Sequence, residues 1–140
     1  MKTRIAAVFA LAMIGPCSEP TEPGWTRVLG LIVDDSQGMS SLVLPAQADR
    51  GTPVTIVVSS WGSSSCTRAD GYDLTVRPER VEIHIFDRIA PPHTACTEDF
   101  GNFPRSITLN FPQPGNIEVK LVGRGFDGQP KVIAKTILIN

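Results

Sequence analysis

Apolar and polar residues alternate along several short segments of the chain, and this pattern predicts β-strands. In the clearest segment, Val81, Ile83 and Ile85 alternate with Glu82 and His84. Successive side chains of a strand point to opposite faces of its sheet. We therefore expect the three apolar residues to face a core and the other two to face solvent.

The same pattern predicts about eight short strands and no amphipathic helix. Besides the strand through Val81, strands are expected at residues 25–33, 41–45, 52–60, 72–76, 106–111, 117–121 and 132–139. Turn-forming residues separate them about every ten residues, a spacing typical of an all-β antiparallel sandwich. The 12 glycines and 12 prolines of the chain fit many turns. A single sheet closed on itself is the alternative fold.

Length and charge narrow the class of protein. The chain has 140 residues, which is enough for one domain with a core and too few for two ordinary domains. Its 13 basic and 14 acidic residues give a formal net charge of −1. Because a weakly acidic domain does not attract phosphate backbones, we expect no binding to nucleic acid.

The first residues are typical of an export signal. Lys2 and Arg4 precede an uncharged apolar run that ends at Ile14. This run is too short to cross a bilayer, which takes about 20 apolar residues, and it fits the apolar core of a secretory signal peptide. The sequence therefore predicts a protein that leaves the cytoplasm.

The segment Ile14-Gly15-Pro16-Cys17 resembles the lipobox of bacterial lipoproteins, although Pro16 stands where that family usually has glycine or alanine. The resemblance implies that Cys17 is lipidated and becomes the first residue of the mature chain. Residues 1–16 would then be a signal peptide, residues 17–24 a lipidated tether and residues 25–140 the sandwich domain. An ordinary signal peptide, removed together with Cys17, is the alternative.

The lipoprotein resemblance also implies an address. The protein would be extracytoplasmic, in the bacterial cell envelope, and would meet the membrane through its N-terminal lipid. A residue other than aspartate after the lipidated cysteine usually accompanies sorting to the outer membrane, and Ser18 fits that rule. We expect a protein anchored to the outer membrane or held in the periplasm.

The three cysteines fit this address. Cys66 and Cys96 both lie in loop-like sequence, whereas Cys17 stands alone before a polar stretch. In an oxidising compartment two cysteines pair and the third needs another role, which lipid attachment supplies. We predict a Cys66–Cys96 disulfide that closes about 30 residues and stabilises the fold by roughly 3.5 kcal/mol.

Two segments resemble immunoglobulin-like or fibronectin-type domains of secreted bacterial lipoproteins. Leu44-Pro45, Gly51 and residues 54–58 match an opening strand, turn and second strand. Residues 111–119 match a late strand-turn-strand unit. The resemblance implies an immunoglobulin-like β-sandwich that binds a partner or supports an envelope assembly. Loops pinned on such a scaffold commonly carry recognition.

Four residues are candidates for a binding surface: Trp61, Arg68, Tyr72 and Phe103. Aromatic and arginine side chains are enriched where proteins recognise partners. Trp61 is the strongest candidate because it follows a predicted strand and precedes the loop that contains Cys66. The alternative is that Trp61 closes one end of the core.

Catalytic and metal-binding patterns are weak. His84 and His93 have no metal-ligand spacing, and Ser63-Ser64-Ser65 lacks the glycine-flanked elbow of serine hydrolases. A calcium site would need an acidic cluster, for which Asp70, Asp73 and Glu98 are the candidates.

We therefore expect a non-enzymatic monomer, without cofactor or metal, that binds an envelope protein or a glycan. A periplasmic accessory or inhibitor protein acting on an enzyme is the alternative. A small hydrolase or a calcium-binding protein is less favoured.

Overall fold

The computed structural model describes residues 23–36 and 38–140. The expected signal peptide, Cys17 and most of the expected tether lie outside the described residues. Lipidation of Cys17 therefore stays a prediction.

The described residues form nine β-strands and no helix, which confirms the all-β prediction. Six of the strands, β4 to β9, are ten or eleven residues long and are longer than the sequence pattern predicts. The strands are β1 (Thr26–Leu29), β2 (Leu42–Val43), β3 (Gln47–Ala48), β4 (Pro53–Gly62), β5 (Thr67–Arg77), β6 (Arg80–Ile89), β7 (Gly101–Asn110), β8 (Gly115–Arg124) and β9 (Pro130–Ile139).

The strands form two sheets that face each other across one core. The larger sheet has the order β1-β6-β8-β9-β3, with β5 also paired to β6. The smaller sheet has the order β2-β4-β7. Most pairs are antiparallel, as expected, but β6 and β8 are parallel, and so are β3 and β9. These parallel pairs join strands that are distant in sequence, which alternation within a strand cannot reveal.

The core consists of the inward residues of both sheets. Val81, Ile83 and Ile85 are fully buried, as their alternation predicts. They pack with apolar residues from both sheets, which include Ile32, Leu42, Ile56, Val58, Ile107, Phe111, Val119, Leu121 and Ile137. This packing accounts for the two-layer arrangement, because each sheet buries one apolar face against the other.

A short segment that we call the strap, residues 30–33, connects the two sheets. The amide of Gly30 donates to the carbonyl of Ile85 in the larger sheet at 2.9 Å. The carbonyl of Leu31 accepts from the amide of Trp61 in the smaller sheet at 3.0 Å. Because its backbone bonds to both layers, the strap closes the sandwich on this side.

The strap requires small residues where it passes β8. A Cβ atom on Gly123 would lie 2.6 Å from the carbonyl oxygen of Gly30 and 2.6 Å from Cγ2 of Ile32. Glycine at position 123 lets the two backbones approach this closely.

The sandwich has two distinct ends. We call one the stapled end; it comprises the turn 63–66, the loop 90–100 and the turn 125–129. We call the other the hairpin end; it comprises the turn 78–79 and the turn 111–114.

The loops at the stapled end are shorter than predicted. The sequence pattern predicts loops over residues 61–71 and 87–104, but β5 begins at Thr67 and β6 continues to Ile89. Those predictions were wrong because Thr67 and Ile89 are cross-strand partners, and pairing extends both strands despite their charged residues.

Candidate binding site at the stapled end

A disulfide bond holds the stapled end together. Cys66 and Cys96 are joined with an S–S distance of 2.00 Å, which confirms the predicted pair. The bond ties the turn before β5 to the loop 90–100, and the amide of Ala90 also donates to the carbonyl of Cys66 at 2.9 Å. The loop is therefore fixed at two points to the end of the sandwich.

Hydroxyl groups around Asp99 order the same loop. The amide of Thr97 donates to Oγ of Ser65 at 2.9 Å, and the amide of Ser64 donates to Oδ1 of Asp99 at 3.2 Å. Hydrogen bonds from the Ser64 and Thr97 side chains lower the pKa of Asp99 to about 2. At neutral pH its carboxylate is therefore an ionised acceptor that connects the turn 63–66 to the loop.

Three aromatic rings lie one on another at this end, and we call them the aromatic stack: Trp61, Phe100 and Phe126. The centroids of Trp61 and Phe100 are 5.4 Å apart, and those of Phe100 and Phe126 are 5.9 Å apart. The indole nitrogen of Trp61 donates to Oγ of Ser41 at 3.1 Å, which fixes the inner ring. Phe100 is 42% exposed and Phe126 is 74% exposed, so the stack runs from the domain out into solvent.

The turn between β8 and β9 makes Phe126 protrude. The amide of Gly125 donates to the carbonyl of Gln129 at 2.8 Å, and the amide of Gln129 donates to Oδ1 of Asp127 at 3.0 Å. Gly128 has a φ of 77°, in the left-handed region that favours glycine. A tight, internally bonded turn therefore presents Phe126 at its tip.

Two of the four candidate binding residues lie at the stapled end. Trp61 is the inner ring of the aromatic stack. The guanidinium of Arg68 lies 4.0 Å from the centroid of the Trp25 ring, close to the disulfide. Arg68 thus lies at the same end of the domain as Trp61, with its guanidinium over the Trp25 ring.

The other two candidates lie elsewhere. Phe103 pairs with Ser60, and Trp61 pairs with Asn102, so Phe103 and Trp61 occupy opposite faces of the smaller sheet. Tyr72 lies farther along β5, beyond a β-bulge. The structure therefore does not bring Phe103 or Tyr72 into the aromatic stack.

Sequence reasoning missed Phe100 and Phe126. They are 26 positions apart, and neither belongs to an alternating segment. A signal was present at Phe126, because a large apolar residue between Gly125 and Asp127-Gly128 stands where turn residues are expected.

A buried ion pair crosses the sandwich between β6 and β7. Nη2 of Arg105 lies 2.6 Å from Oδ1 of Asp87, and Oγ of Ser60 donates to the same carboxylate oxygen at 2.6 Å. Asp87 and Ser60 are almost fully buried. The side chain of Arg105 thus joins the two sheets in the interior.

Of the residues considered for catalysis, Ser63 to Ser65 and His93 belong to segments of the stapled end, whereas His84 lies on β6. A cleft of about 620 Å³ lies at the hairpin end and is lined mainly by Arg77, Arg80, Asn116 and Glu118. His84 lies on the outer face of β6, where its Nε2 is 2.7 Å from Oε1 of Glu82.

Two of the acidic residues considered for calcium, Asp70 and Asp73, both form ion pairs with Arg27. Asp70 accepts from Arg27 at 2.9 Å and from Arg88 at 2.7 Å. Within residues 23–36 and 38–140, the structure holds no group of three or more His, Cys, Asp or Glu residues arranged to bind a metal ion.

The fold and the site define a small all-β domain with one disulfide and a protruding aromatic stack. Searches against protein-family models, curated proteins and solved structures found no match to this chain. The described residues include no helix with the length and apolar character needed to cross a membrane.

Proposed function

We propose that this protein is a non-enzymatic lipoprotein of the bacterial envelope whose sandwich binds a protein or glycan partner through its stapled end. A lipid on Cys17 would hold it at the membrane. The observation that carries the binding role is the exposure of the aromatic stack on a rigid support, with Phe126 74% exposed at its tip.

Rigid exposed aromatics are suited to recognition. Each ring offers a large apolar area at a small cost in side-chain entropy. The stack is fixed on its inner side by the Trp61–Ser41 hydrogen bond, and Phe100 follows Cys96 by four residues. Because the rings are already held in place, binding would cost little side-chain entropy, and most of the apolar area buried by a partner would contribute to affinity.

The path of the chain supports a partner close to the membrane. Trp25 packs under Arg68 at the stapled end, and a Cβ atom on Gly24 would touch the side chain of Pro91. A tether of residues 17–24 would therefore leave the domain at the end that bears the stack. Eight fully extended residues span at most about 29 Å, so the partner would lie within that distance of the bilayer surface.

The protruding shape of the tip favours an accessory or inhibitor protein as a second candidate. A tight turn that carries Phe126 could enter the cleft of an envelope enzyme and exclude its substrate. This role uses the same contact end, and the identity of the bound partner distinguishes the two.

The anchor is tested by mass spectrometry of the mature protein purified from bacterial membranes. We expect a diacyl or triacyl adduct on Cys17 and release of the Cys17→Ser variant from the membrane fraction. An unmodified N-terminus at another residue would contradict the lipoprotein proposal.

The contact end is tested by photo-crosslinking in cells, with a photoreactive residue in place of Phe126. The matched control carries the same residue in place of Val132, which is 53% exposed on β9. We expect a discrete adduct from position 126 and none from position 132. Equal labelling at both positions would contradict a specific contact end.

Substitutions then measure the contribution of the stack. Phe126→Ser should weaken partner capture at least tenfold while leaving the melting temperature near that of the parent, because its ring lies mostly in solvent. Trp61→Ala should weaken partner capture strongly and lower the melting temperature only slightly. A large fall in melting temperature with little loss of capture would show that Trp61 instead closes one end of the core.

A further inference from the structure

Strand β5 is a free edge of the larger sheet. It pairs with β6 on one side, and its residues 71–77 are exposed. A β-bulge lies between Ala69 and Tyr72, but the register from Tyr72 to Arg77 is regular. A regular edge presents backbone N–H and C=O groups with the spacing that another strand requires.

An apolar strip runs along this edge. Tyr72, Leu74 and Val76 stand on one face of β5, and they are 38%, 38% and 52% exposed. Their cross-strand partners in β6 are the fully buried core residues Ile85, Ile83 and Val81. The strip thus belongs to the inward face, and it is exposed because the smaller sheet is three strands wide and leaves β5 uncovered.

The two halves of β5 differ in the features that prevent pairing with another strand. Natural edge strands are kept from pairing by bulges, prolines and charged side chains. The half of β5 near the stapled end has the bulge, and there Asp70 accepts from Arg27 and Arg88. The other long edge, β7, carries Pro104 within the strand. The half of β5 from Tyr72 to Arg77 is regular and contains no proline; its charged residues are Asp73, which lies 3.9 Å from Arg27, and Arg77.

We propose that two copies of this chain pair edge to edge through the regular half of β5, antiparallel and with Thr75 on the two-fold axis. In this register Asp73 stands opposite Arg77 of the second copy, so symmetry creates two ion pairs on the outer face. On the inner face Leu74 stands opposite Val76 of the second copy, and the two apolar strips become continuous.

Charge selects this register. A shift of the register by one residue would place the apolar side chains of one copy beside the polar side chains of the other. Only shifts by an even number of residues keep the apolar faces together. The neighbouring even register would place Leu74 opposite itself and Asp73 opposite Thr75, without an ion pair. Opposite charges on directly opposed positions favour pairing, and the register centred on Thr75 is the one that matches Asp73 with Arg77.

This dimer departs from the monomer expected from sequence. The dimer involves neither Cys17 nor the aromatic stack. The dimer proposal can therefore be refuted while the proposed function stands, and the proposed function can be refuted while the dimer stands. The paired segment is short, so the association is expected to be weak in solution, and a method that traps weak pairs is appropriate.

The first test is disulfide trapping, under mild oxidation, of the purified full chain with Cys17→Ser, which removes the third cysteine as a competing thiol. Thr75→Cys should form covalent dimers, because the two-fold axis brings the two sulfurs together. The matched control is Asp73→Cys, which faces Arg77 of the second copy and should form at least fivefold fewer dimers. Equal yields from the two variants, no dimer from Thr75→Cys, or a higher yield from Leu74→Cys would overturn the proposal.

The second test reverses the charges and needs no new cysteine. Asp73→Arg or Arg77→Asp alone should raise the dimer dissociation constant about tenfold in sedimentation equilibrium, because each puts like charges opposite each other twice. The double variant Asp73→Arg/Arg77→Asp should restore association, because the pairs re-form with exchanged partners. Failure of the double variant to recover, with its melting temperature unchanged, would overturn the ion pairing and the register.

Discussion

Arg105 and Asp87 form a buried ion pair that joins the two sheets of the sandwich. Nη2 of Arg105 lies 2.6 Å from Oδ1 of Asp87, and their side chains are 9% and 1% exposed. Among the described residues, Oδ2 of Asp87 and Nε of Arg105 are buried without a hydrogen-bond partner. A buried pair with unsatisfied atoms costs desolvation that its own attraction only partly offsets.

The two partners should therefore respond differently when they are removed singly or together. Arg105→Met should lower the free energy of unfolding by about 3–5 kcal/mol, because it leaves the Asp87 carboxylate buried and unpaired. The double variant Asp87→Leu/Arg105→Met should regain most of that loss. Urea denaturation measures both.

An exposed ion pair provides the control for this prediction. Nε of Arg80 lies 3.0 Å from Oε2 of Glu118 on the surface of the larger sheet. Arg80→Met should cost less than about 1 kcal/mol, because solvent screens such pairs. A similar cost for Arg80→Met and Arg105→Met would contradict the special role of the buried pair.

Removal of the disulfide should destabilise the domain and loosen the aromatic stack. Cys66→Ala/Cys96→Ala should lower the free energy of unfolding by roughly 3.5 kcal/mol, because the open chain gains conformational entropy when unfolded. Phe100 lies four residues beyond Cys96, so Trp61 should become more mobile in the native state. Fluorescence anisotropy in a Trp25→Phe background isolates Trp61, and unchanged anisotropy would contradict the coupling.

The strap should not tolerate a side chain at Gly123. Gly123→Ala should lower the free energy of unfolding by about 2 kcal/mol, because its Cβ would overlap the carbonyl of Gly30 and the side chain of Ile32. Gly38 is a useful comparison: it has open space around it and a φ of 76°. Gly38→Ala should lower the free energy of unfolding by about 1 kcal/mol, from backbone strain alone. If Gly38→Ala destabilised the domain more than Gly123→Ala does, the proposed clash at Gly123 would be refuted.

Acid should release the contact between Asp99 and the turn 63–66. The pKa of Asp99 is lowered from 3.8 to about 2 by hydrogen bonds from Ser64 and Thr97. A lowered folded pKa means that the stabilisation is complete above pH 4 and is lost as the pH falls through about 2. The amide resonance of Ser64 should titrate near pH 2 and stop responding in Asp99→Asn; a midpoint near 3.8 would contradict the contact.

The sequence predicted the parts of the fold that follow from local alternation. The strand through Val81, Ile83 and Ile85 was predicted with its inward face because β6 is buried on one side only. Strand β5 was predicted only at residues 72–76, because its first half carries charges and a glycine at the bulge and shows no alternation of apolar and polar residues. The parallel pairing of β6 with β8 could not be predicted, because the two strands are separated in sequence by β7 and alternation within a strand does not identify its partner.

Within the candidate site, too, some features could be predicted from the sequence and others depended on the tertiary structure. The disulfide was predicted by cysteine arithmetic, since Cys66 and Cys96 were the two cysteines of the folded domain. The aromatic stack was not predicted, because its three rings come from β4, the loop 90–100 and the turn between β8 and β9. Trp61 stood out in the sequence because it followed a strand, whereas its two stacking partners became visible through tertiary structure.

The strap also sets the time at which the domain can close during synthesis. The carbonyl of Leu29 accepts from Nε of Arg124, 95 residues later, and the amide of Ile32 donates to the carbonyl of Arg124. These bonds thus form only after β8 has been made, whereas β1 itself pairs with the earlier strand β6. Closure of the sandwich on this side is therefore a non-local step that pairing within neighbouring hairpins cannot complete.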